Sequence, residues 1–101
     1  MAGGNSTAAV ISNSYNTGTV NGATSIGGLA GENYGSLTNT YNVGAVTGQS
    51  DYIGGLTGRN WATGVITNSY NNGFVSTTGI GSNLGGLVGN NASGCIITNS
   101  F

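Results

Sequence analysis

The chain of 101 residues contains no histidine and no proline, one cysteine and only three charged side chains. Without histidine, the sequence excludes histidine-dependent triads, imidazole acid–base catalysis and zinc sites of the His-x-x-x-His type. A single basic residue, Arg59, argues against a nucleic-acid partner, because that affinity comes mainly from Lys and Arg on phosphates. No stretch approaches the ~20 apolar residues of a membrane helix, so we also predict no membrane insertion.

The remaining reactive side chains are equally few. Glu32 and Asp51 could in principle form a glycosidase pair. However, Glu32 lies in a Gly-x-Asn turn where the later copies have Arg59 and Asn90, and Asp51 lies in a loop of variable length, so we predict two solvated surface charges. Cys95 is alone, which excludes an internal disulfide and a multi-cysteine zinc site, and we interpret it as a small apolar residue. We predict no enzyme activity, no cofactor and no metal.

Two phrases recur along the chain, and its 21 glycines recur at fixed places between Val, Ile, Leu and Tyr. Gly-Gly-Leu-x-Gly-x-Asn occurs at Gly27–Asn33, Gly54–Asn60 and Gly85–Asn91. A second phrase ends in an aromatic residue and occurs at Ile11–Tyr15, Leu37–Tyr41, Ile66–Tyr70 and Ile97–Phe101. Repeats of this length indicate a solenoid, in which each unit buries its apolar face against its neighbours.

We predict an all-β fold, a β-solenoid resembling a parallel β-helix, with about three and a half coils of 27–31 residues. Its parts would be a partial coil at 1–26, full coils at 27–53 and 54–84, and a partial coil at 85–101, as one domain that is a segment of a longer protein. Each coil would contain three strands, around Ile26–Leu29, Leu37–Tyr41 and Ala45-Val46, with turns at Gly31–Gly35 and Asn42–Gly44. The variable stretches, from Val20, Val46 and Val75 to the next Gly-Gly-Leu, would be loops.

Stacked coils place like residues on like, so three structural ladders are expected. Period-two alternation from the inward Leu37 sends Asn39 and Tyr41 inward and Thr38 and Thr40 outward. The ladders are then one of leucines, one of amides that satisfy one another, and one of rings stacked inside the coil. Their members are Leu29, Leu56 and Leu87; Asn13, Asn39, Asn68 and Asn99; and Tyr15, Tyr41, Tyr70 and Phe101. The open ends predict end-to-end self-association.

Two surface features suggest ligands. Tyr34 and Trp61 each follow a Gly-x-Asn turn, and Tyr52 lies in a loop, so these rings could stack on a sugar or simply pack on neighbouring loops. Ala92 replaces the ring in the third copy, which weakens the sugar hypothesis. The second feature is an outward double row of hydroxyls, typical of some ice-binding solenoids but also of any polar strand. The row consists of Ser12/Ser14, Thr38/Thr40, Thr67/Ser69 and Thr98/Ser100.

The repeated phrases resemble the GLUG motif, named for its Gly-Leu-x-Gly core. That core reads Gly28-Leu-Ala-Gly31, Gly55-Leu-Thr-Gly58 and Gly86-Leu-Val-Gly89 here. The resemblance implies an extracellular or cell-surface setting in a bacterial, adhesin-like protein, but it does not specify a ligand. Our expectation for a partner is a glycan, in line with the loop aromatics, or a host or cell-surface protein. The resemblance suggests a structural or adhesive module that spaces or displays, while alternatives are an accessory repeat of a secreted peptidase and an ice-binding solenoid.

Overall fold

The computed structural model describes residues 2–79 and 83–101, and within them all regular structure is β-strand. The strands are short, from two to four residues, because glycines and corners interrupt the chain every few positions. In chain order they are β1 (Ala2–Asn5), β2 (Val10–Ser12), β3 (Tyr15–Asn16), β4 (Val20–Gly22), β5 (Ile26–Gly27), β6 (Ala30–Asn33), β7 (Ser36–Thr38), β8 (Tyr41–Asn42), β9 (Val46–Gly48), β10 (Ile53–Gly54), β11 (Thr57–Asn60), β12 (Val65–Thr67), β13 (Tyr70–Asn71), β14 (Val75–Thr77), β15 (Leu84–Gly85), β16 (Val88–Asn91) and β17 (Ile96–Thr98).

Every strand pairs in parallel with the equivalent strand of the next coil, which confirms the β-solenoid. The sheets run β1-β6-β11-β16, β17-β12-β7-β2, β15-β10-β5, β13-β8-β3 and β14-β9-β4, giving about three turns. A complete coil therefore has five strands rather than three, for example β5 to β9. We refer to β1–β4, β5–β9, β10–β14 and β15–β17 as coils 1 to 4.

Coil length varies at two places, and the register shows both. Ile53 lies 27 residues after its partner Ile26 and 31 residues before its partner Leu84. Two of these four extra residues lie in the loop that precedes coil 4, which is longer than the loop that precedes coil 3. Part of that loop, residues 80–82, lies outside the described residues. The other place is the turn after β6, which is two residues shorter than its counterparts in coils 1, 3 and 4. The predicted turn at Gly31–Gly35 is wrong at its start, since β6 continues to Asn33.

The apolar core is a column of leucines and isoleucines. Leu29 and Leu56 are completely buried, and Leu87, in the last coil, is half-buried against them. Backbone amides link the column, from Leu29 N to Leu56 O at 2.9 Å and from Leu56 N to Leu87 O at 2.9 Å. A Cβ on Gly28 would overlap the amide of buried Asn42, which explains why glycine precedes the leucine.

The chain turns at four asparagines, and this reverses the predicted side-chain alternation. Asn13, Asn39, Asn68 and Asn99 have φ of 50°, 52°, 49° and 49°, in the left-handed region that asparagine tolerates. Side chains alternate between inward and outward only along extended backbone, so the alternation is interrupted at each of these residues. All four amides are exposed, so their predicted inward position is wrong, although two outer pairs still bond, Asn39 Nδ2 to Asn13 Oδ1 at 3.2 Å and Asn99 Nδ2 to Asn68 Oδ1 at 3.3 Å.

The corner also displaces the residues that follow it. Thr40 and Ser69 are buried and bond each other at 3.0 Å, so the predicted outward double row of hydroxyls is wrong. The aromatic ladder stacks, with ring centroids 5.1, 5.1 and 6.1 Å apart. It lies on the outside of the solenoid rather than inside, because Tyr15 is 60% exposed and Tyr70 38%.

Two other asparagine columns fill the interior. In the first, each side chain donates from Nδ2 to Oδ1 of the next coil at 2.8 Å. This inner ladder consists of Asn5, Asn33, Asn60 and Asn91. The second column has the same geometry, also at 2.8 Å, in Asn16, Asn42 and Asn71. Because an unpaired interior amide is costly, these bonds make the polar columns compatible with burial.

Candidate functional site

The three rings predicted to bind ligand lie on one side of the solenoid, around the single arginine. The Arg59 guanidinium carbon lies 4.8 Å from the centroid of the Tyr52 ring and 4.2 Å from that of the Trp61 ring. Both distances fall within the ~6 Å range of a cation–π contact. We call this group, with Glu32 and Tyr34, the arginine clamp.

The clamp spans two coils through Glu32, on β6 of coil 2. Arg59 Nη1 lies 3.4 Å from Glu32 Oε1 across the register that pairs β6 with β11. The Tyr34 hydroxyl donates to Glu32 Oε2 at 2.9 Å, and Ser25 Oγ donates to Oε1 at 3.3 Å. Glu32 is therefore a bonded, partly buried carboxylate, and its predicted role as a solvated charge is wrong.

Tyr34 titrates abnormally because of this contact. Its hydrogen bond to the Glu32 carboxylate raises the pKa of the phenol above the ordinary value, and the negative charge of that carboxylate acts in the same direction. The Arg59 charge opposes the shift. Tyr34 therefore remains a neutral donor to Glu32 at physiological pH, which is a positioning role rather than an acid–base one.

The Arg59 guanidinium makes two contacts with ring faces but few hydrogen bonds through its N–H groups. Its Nε is buried and has no hydrogen-bond partner among the residues described. The side chain itself is 21% exposed and Trp61 is 40% exposed, so one edge of the clamp meets solvent. The equivalent positions in coil 4 carry Asn90 and Ala92, and no clamp forms there.

Loop corners position the clamp residues. Tyr52 has φ of 63° at the corner before β10, where the equivalent residue of coil 2, Ser25, has φ of 54°. Positive φ is uncommon for a bulky residue. Its recurrence one coil away shows that the corner belongs to the fold, and that coil 3 places a ring on it. Tyr34 and Trp61 follow β6 and β11 directly, where Tyr34 N donates to Asn5 O and Trp61 N donates to Asn33 O.

Asp51 lies in the loop before Tyr52. Its backbone carbonyl accepts from Ser25 N at 3.1 Å and from Thr24 Oγ1 at 2.9 Å, so it ties coil 3 to coil 2. Within residues 2–79 and 83–101, no three His, Cys, Asp or Glu side chains cluster as metal ligands. No helix long and apolar enough to cross a membrane occurs in the same residues.

A polar groove, which the sequence did not reveal, lies on the β4-β9-β14 sheet. It has a volume of about 230 Å³. Its lining comes from three coils and contains no charged side chain: Asn21, Gly22, Thr47, Gly48, Gln49 and Thr78. The groove therefore offers no acidic or basic side chain, and two of its hydroxyls already have partners, Thr47 with Ser76 Oγ and Thr78 with Gly48 O.

Comparison with known families identifies the repeat. Residues 49–78 match the family model described as the GLUG motif. This stretch is a GLUG repeat. The matched stretch contains a complete coil, β10 to β14, and includes the clamp residues Tyr52 and Arg59. Neither the comparison with curated proteins nor that with solved structures gave a match.

The GLUG assignment gives the glycine-leucine core a structural meaning. In the matched coil, Leu56 is the buried core residue, and a Cβ on Gly55 would overlap the inward amide of Asn71. The same phrase occupies the same register in coils 2 and 4. The matched stretch is one repeat of this kind, and the strands before and after it stack on it as further coils of the same β-solenoid.

Proposed function

We propose that the chain is a non-enzymatic spacer and display module of an exported bacterial surface protein. The observation that supports this most is the contrast between the constant inner asparagine ladder and the variable residue that follows it on the surface. The inner asparagine ladder is identical in four coils, whereas the residue that follows it is Ser6, Tyr34, Trp61 or Ala92. A scaffold of fixed register can change what it displays without changing how it stacks.

The spacing role predicts that length grows by one strand separation for each added coil. The chain measures 32 × 26 × 21 Å along its principal axes. Duplicating residues 54–84 should lengthen the stack by ~4.8 Å at constant cross-section. Small-angle X-ray scattering of the two proteins tests this, and a broader cross-section, or a rise in unfolded chain, would contradict the role.

The adhesive part of the proposal rests on the arginine clamp. Trp61 is partly exposed and is held by Arg59, which also contacts Tyr52, so its ring is a preorganised surface for the apolar face of a sugar. Binding would be weak, because one ring offers little area and few hydrogen bonds. A glycan, or a sugar or apolar group exposed on a host protein, is a partner that this ring could bind.

A glycan array tests the adhesive part. Trp61→Ala should abolish any signal, while Phe74→Ala, which removes another exposed ring outside the clamp, should leave it unchanged. Equal binding by both variants would show that the clamp is structural only. No observation favours the ice-binding alternative, because the corner buries the hydroxyls of Thr40 and Ser69.

A further inference from the structure

Three tyrosine rings stack on the outside of the solenoid, one from each of three successive coils. The ring centroids of Tyr15 and Tyr41 are 5.1 Å apart with 6° between the ring planes, and those of Tyr41 and Tyr70 are 5.1 Å apart with 4° between them. The three residues are register partners in the sheet of β3, β8 and β13, so equivalent atoms of adjacent rings face one another. We call these three side chains the tyrosine ladder.

The tyrosine ladder is open to solvent. Tyr15 and Tyr70 are exposed, and Tyr41 between them is half-buried. A dissolved oxidant therefore reaches the phenols of the folded chain. The buried leucine and isoleucine cluster contains none of these rings, so the exposed side chains can tilt toward one another without disturbing the core.

The other rings of the chain do not form such pairs. Tyr34 and Tyr52 belong to the arginine clamp, and among the residues described neither stacks on a tyrosine ring. Phe101 continues the column beyond Tyr70, with a centroid distance of 6.1 Å, but it has no hydroxyl. The stacked phenol pairs in the described part of the chain are therefore Tyr15–Tyr41 and Tyr41–Tyr70.

We propose that the tyrosine ladder is a site of oxidative modification, at which a peroxidase with hydrogen peroxide joins adjacent coils through a dityrosine bond. Each of two adjacent tyrosines gives one electron and its hydroxyl proton to the oxidant. One molecule of hydrogen peroxide accepts both electrons and both protons and becomes two molecules of water.

The two phenoxyl radicals then couple through ring carbons ortho to their oxygens, which forms one carbon–carbon bond. The hydrogen on each coupled carbon leaves as a proton, and a proton returns to the oxygen of the same ring. Both phenols are restored, and the chain has lost two hydrogen atoms in total.

Stacking favours coupling within one chain over coupling between chains. Because the partner ring is already in contact, its radical is present at a high effective concentration, whereas a second chain must diffuse to the site. The new bond joins register partners, so strand pairing can persist while adjacent coils are tied together as a disulfide would tie them. The modification is independent of any ligand at the arginine clamp.

The single arginine makes the cross-link easy to locate. Trypsin can cleave only after Arg59, which gives the pieces 1–59 and 60–101, and Tyr70 is the only tyrosine of the second piece. Dilute folded protein is treated with a peroxidase and hydrogen peroxide, and the monomer is isolated and digested in urea. Wild type should give dityrosine fluorescence and a fraction in which the two pieces stay joined, with a mass that is lower by two hydrogen atoms.

Matched variants test the assignment. Tyr41→Phe keeps a ring in the column, as Phe101 does, but removes the shared phenol, so it should abolish both dityrosine and joined pieces. Tyr70→Phe should also abolish joined pieces, yet piece 1–59 should still lose two hydrogen atoms through the bond of Tyr15 to Tyr41. Tyr52→Phe, outside the ladder, should behave as wild type.

Circular dichroism of each variant before oxidation checks that the β-type spectrum is retained. Joined pieces that persist in Tyr41→Phe, or that disappear in Tyr52→Phe, would overturn the proposal. So would a folded wild type that yields no dityrosine while the same chain in urea does.

Discussion

The inner and outer asparagine columns are both built from one residue type, but the inner amides are needed for hydrogen bonding and the outer residues for backbone conformation. Three of the four amides of the inner ladder, Asn5, Asn33 and Asn60, are buried, and the amides bond from coil to coil at 2.8 Å. The outer column, represented by Asn39 and Asn68, is exposed, with bonds of 3.2–3.3 Å between two of its pairs. Outside, water competes for each bond, and the residue is needed mainly for its backbone conformation.

The comparison shows that a polar residue can repeat in a solenoid for either of two reasons, hydrogen bonding in the interior or positive φ at a corner. Inside, the amide supplies matched donors and acceptors where none can be left unpaired. At the corner, asparagine adopts positive φ at low cost. Substitutions can separate the two requirements, and the expected losses of stability differ.

The largest effect is expected at the leucine column beside the inner ladder. Leu56 is completely buried, so Leu56→Asp places a carboxylate among apolar side chains, and the single arginine already pairs with Glu32. The cost should exceed the ~5–15 kcal/mol that stabilises a domain. Circular dichroism should show an unfolded chain, and retention of the β-type spectrum would contradict the assigned core.

The next largest effect is expected from a substitution that interrupts the inner ladder. Asn60 accepts from Asn33, donates to Asn91 at 2.8 Å and donates to Gly64 O at 3.2 Å. Asn60→Ala removes one acceptor of the buried Asn33 amide and the donor to the more exposed Asn91, which should cost about 2–3 kcal/mol in the free energy of unfolding. Urea denaturation measures this, and a loss below about 1 kcal/mol would show that water replaces the missing amide.

The sequence predicts the fold well because register depends on identity between repeats. Leu29 and Leu56, one period apart, suffice to stack coil on coil, and the structure places them in direct contact. The direction of the side chains after the corner was predicted incorrectly. Asn39 sits inside an otherwise alternating phrase, and a single left-handed residue there sends Thr40 inward and Tyr41 outward.

The candidate site was only partly predictable for a related reason. Tyr34 and Trp61 each follow a copy of the repeated Gly-Gly-Leu phrase, so their equivalence and exposure could be inferred from spacing. Their convergence on Arg59 could not, since it depends on Tyr52, which lies in a loop of variable length. The amide ladder was predicted on the asparagines of the second phrase. The inner ladder is formed instead by the asparagine that closes each first phrase, which recurs at Asn33, Asn60 and Asn91.

The arginine clamp should contribute less than the inner ladder, because it lies at the surface. Arg59→Ala removes two ring contacts and a partly exposed ion pair, and we expect a loss of about 1–2 kcal/mol. Arg59→Lys keeps the charge but not the planar stacking, so it should recover only part of the loss. Urea unfolding followed by fluorescence of Trp61, the single tryptophan, reports stability and clamp together, and full recovery by Lys would contradict a stacking role.

The smallest effect should come from the outer column. Asn68→Gly removes an exposed amide but keeps the positive φ of 49°, so the free energy of unfolding should change by less than about 0.5 kcal/mol. Asn68→Ala removes the same amide and strains the corner, and it should cost about 1–2 kcal/mol. Urea denaturation of the pair separates hydrogen bonding from backbone conformation. If the glycine variant were destabilised as much as the alanine variant, the outer amides would be true ladder bonds, and the distinction between the two columns would fail.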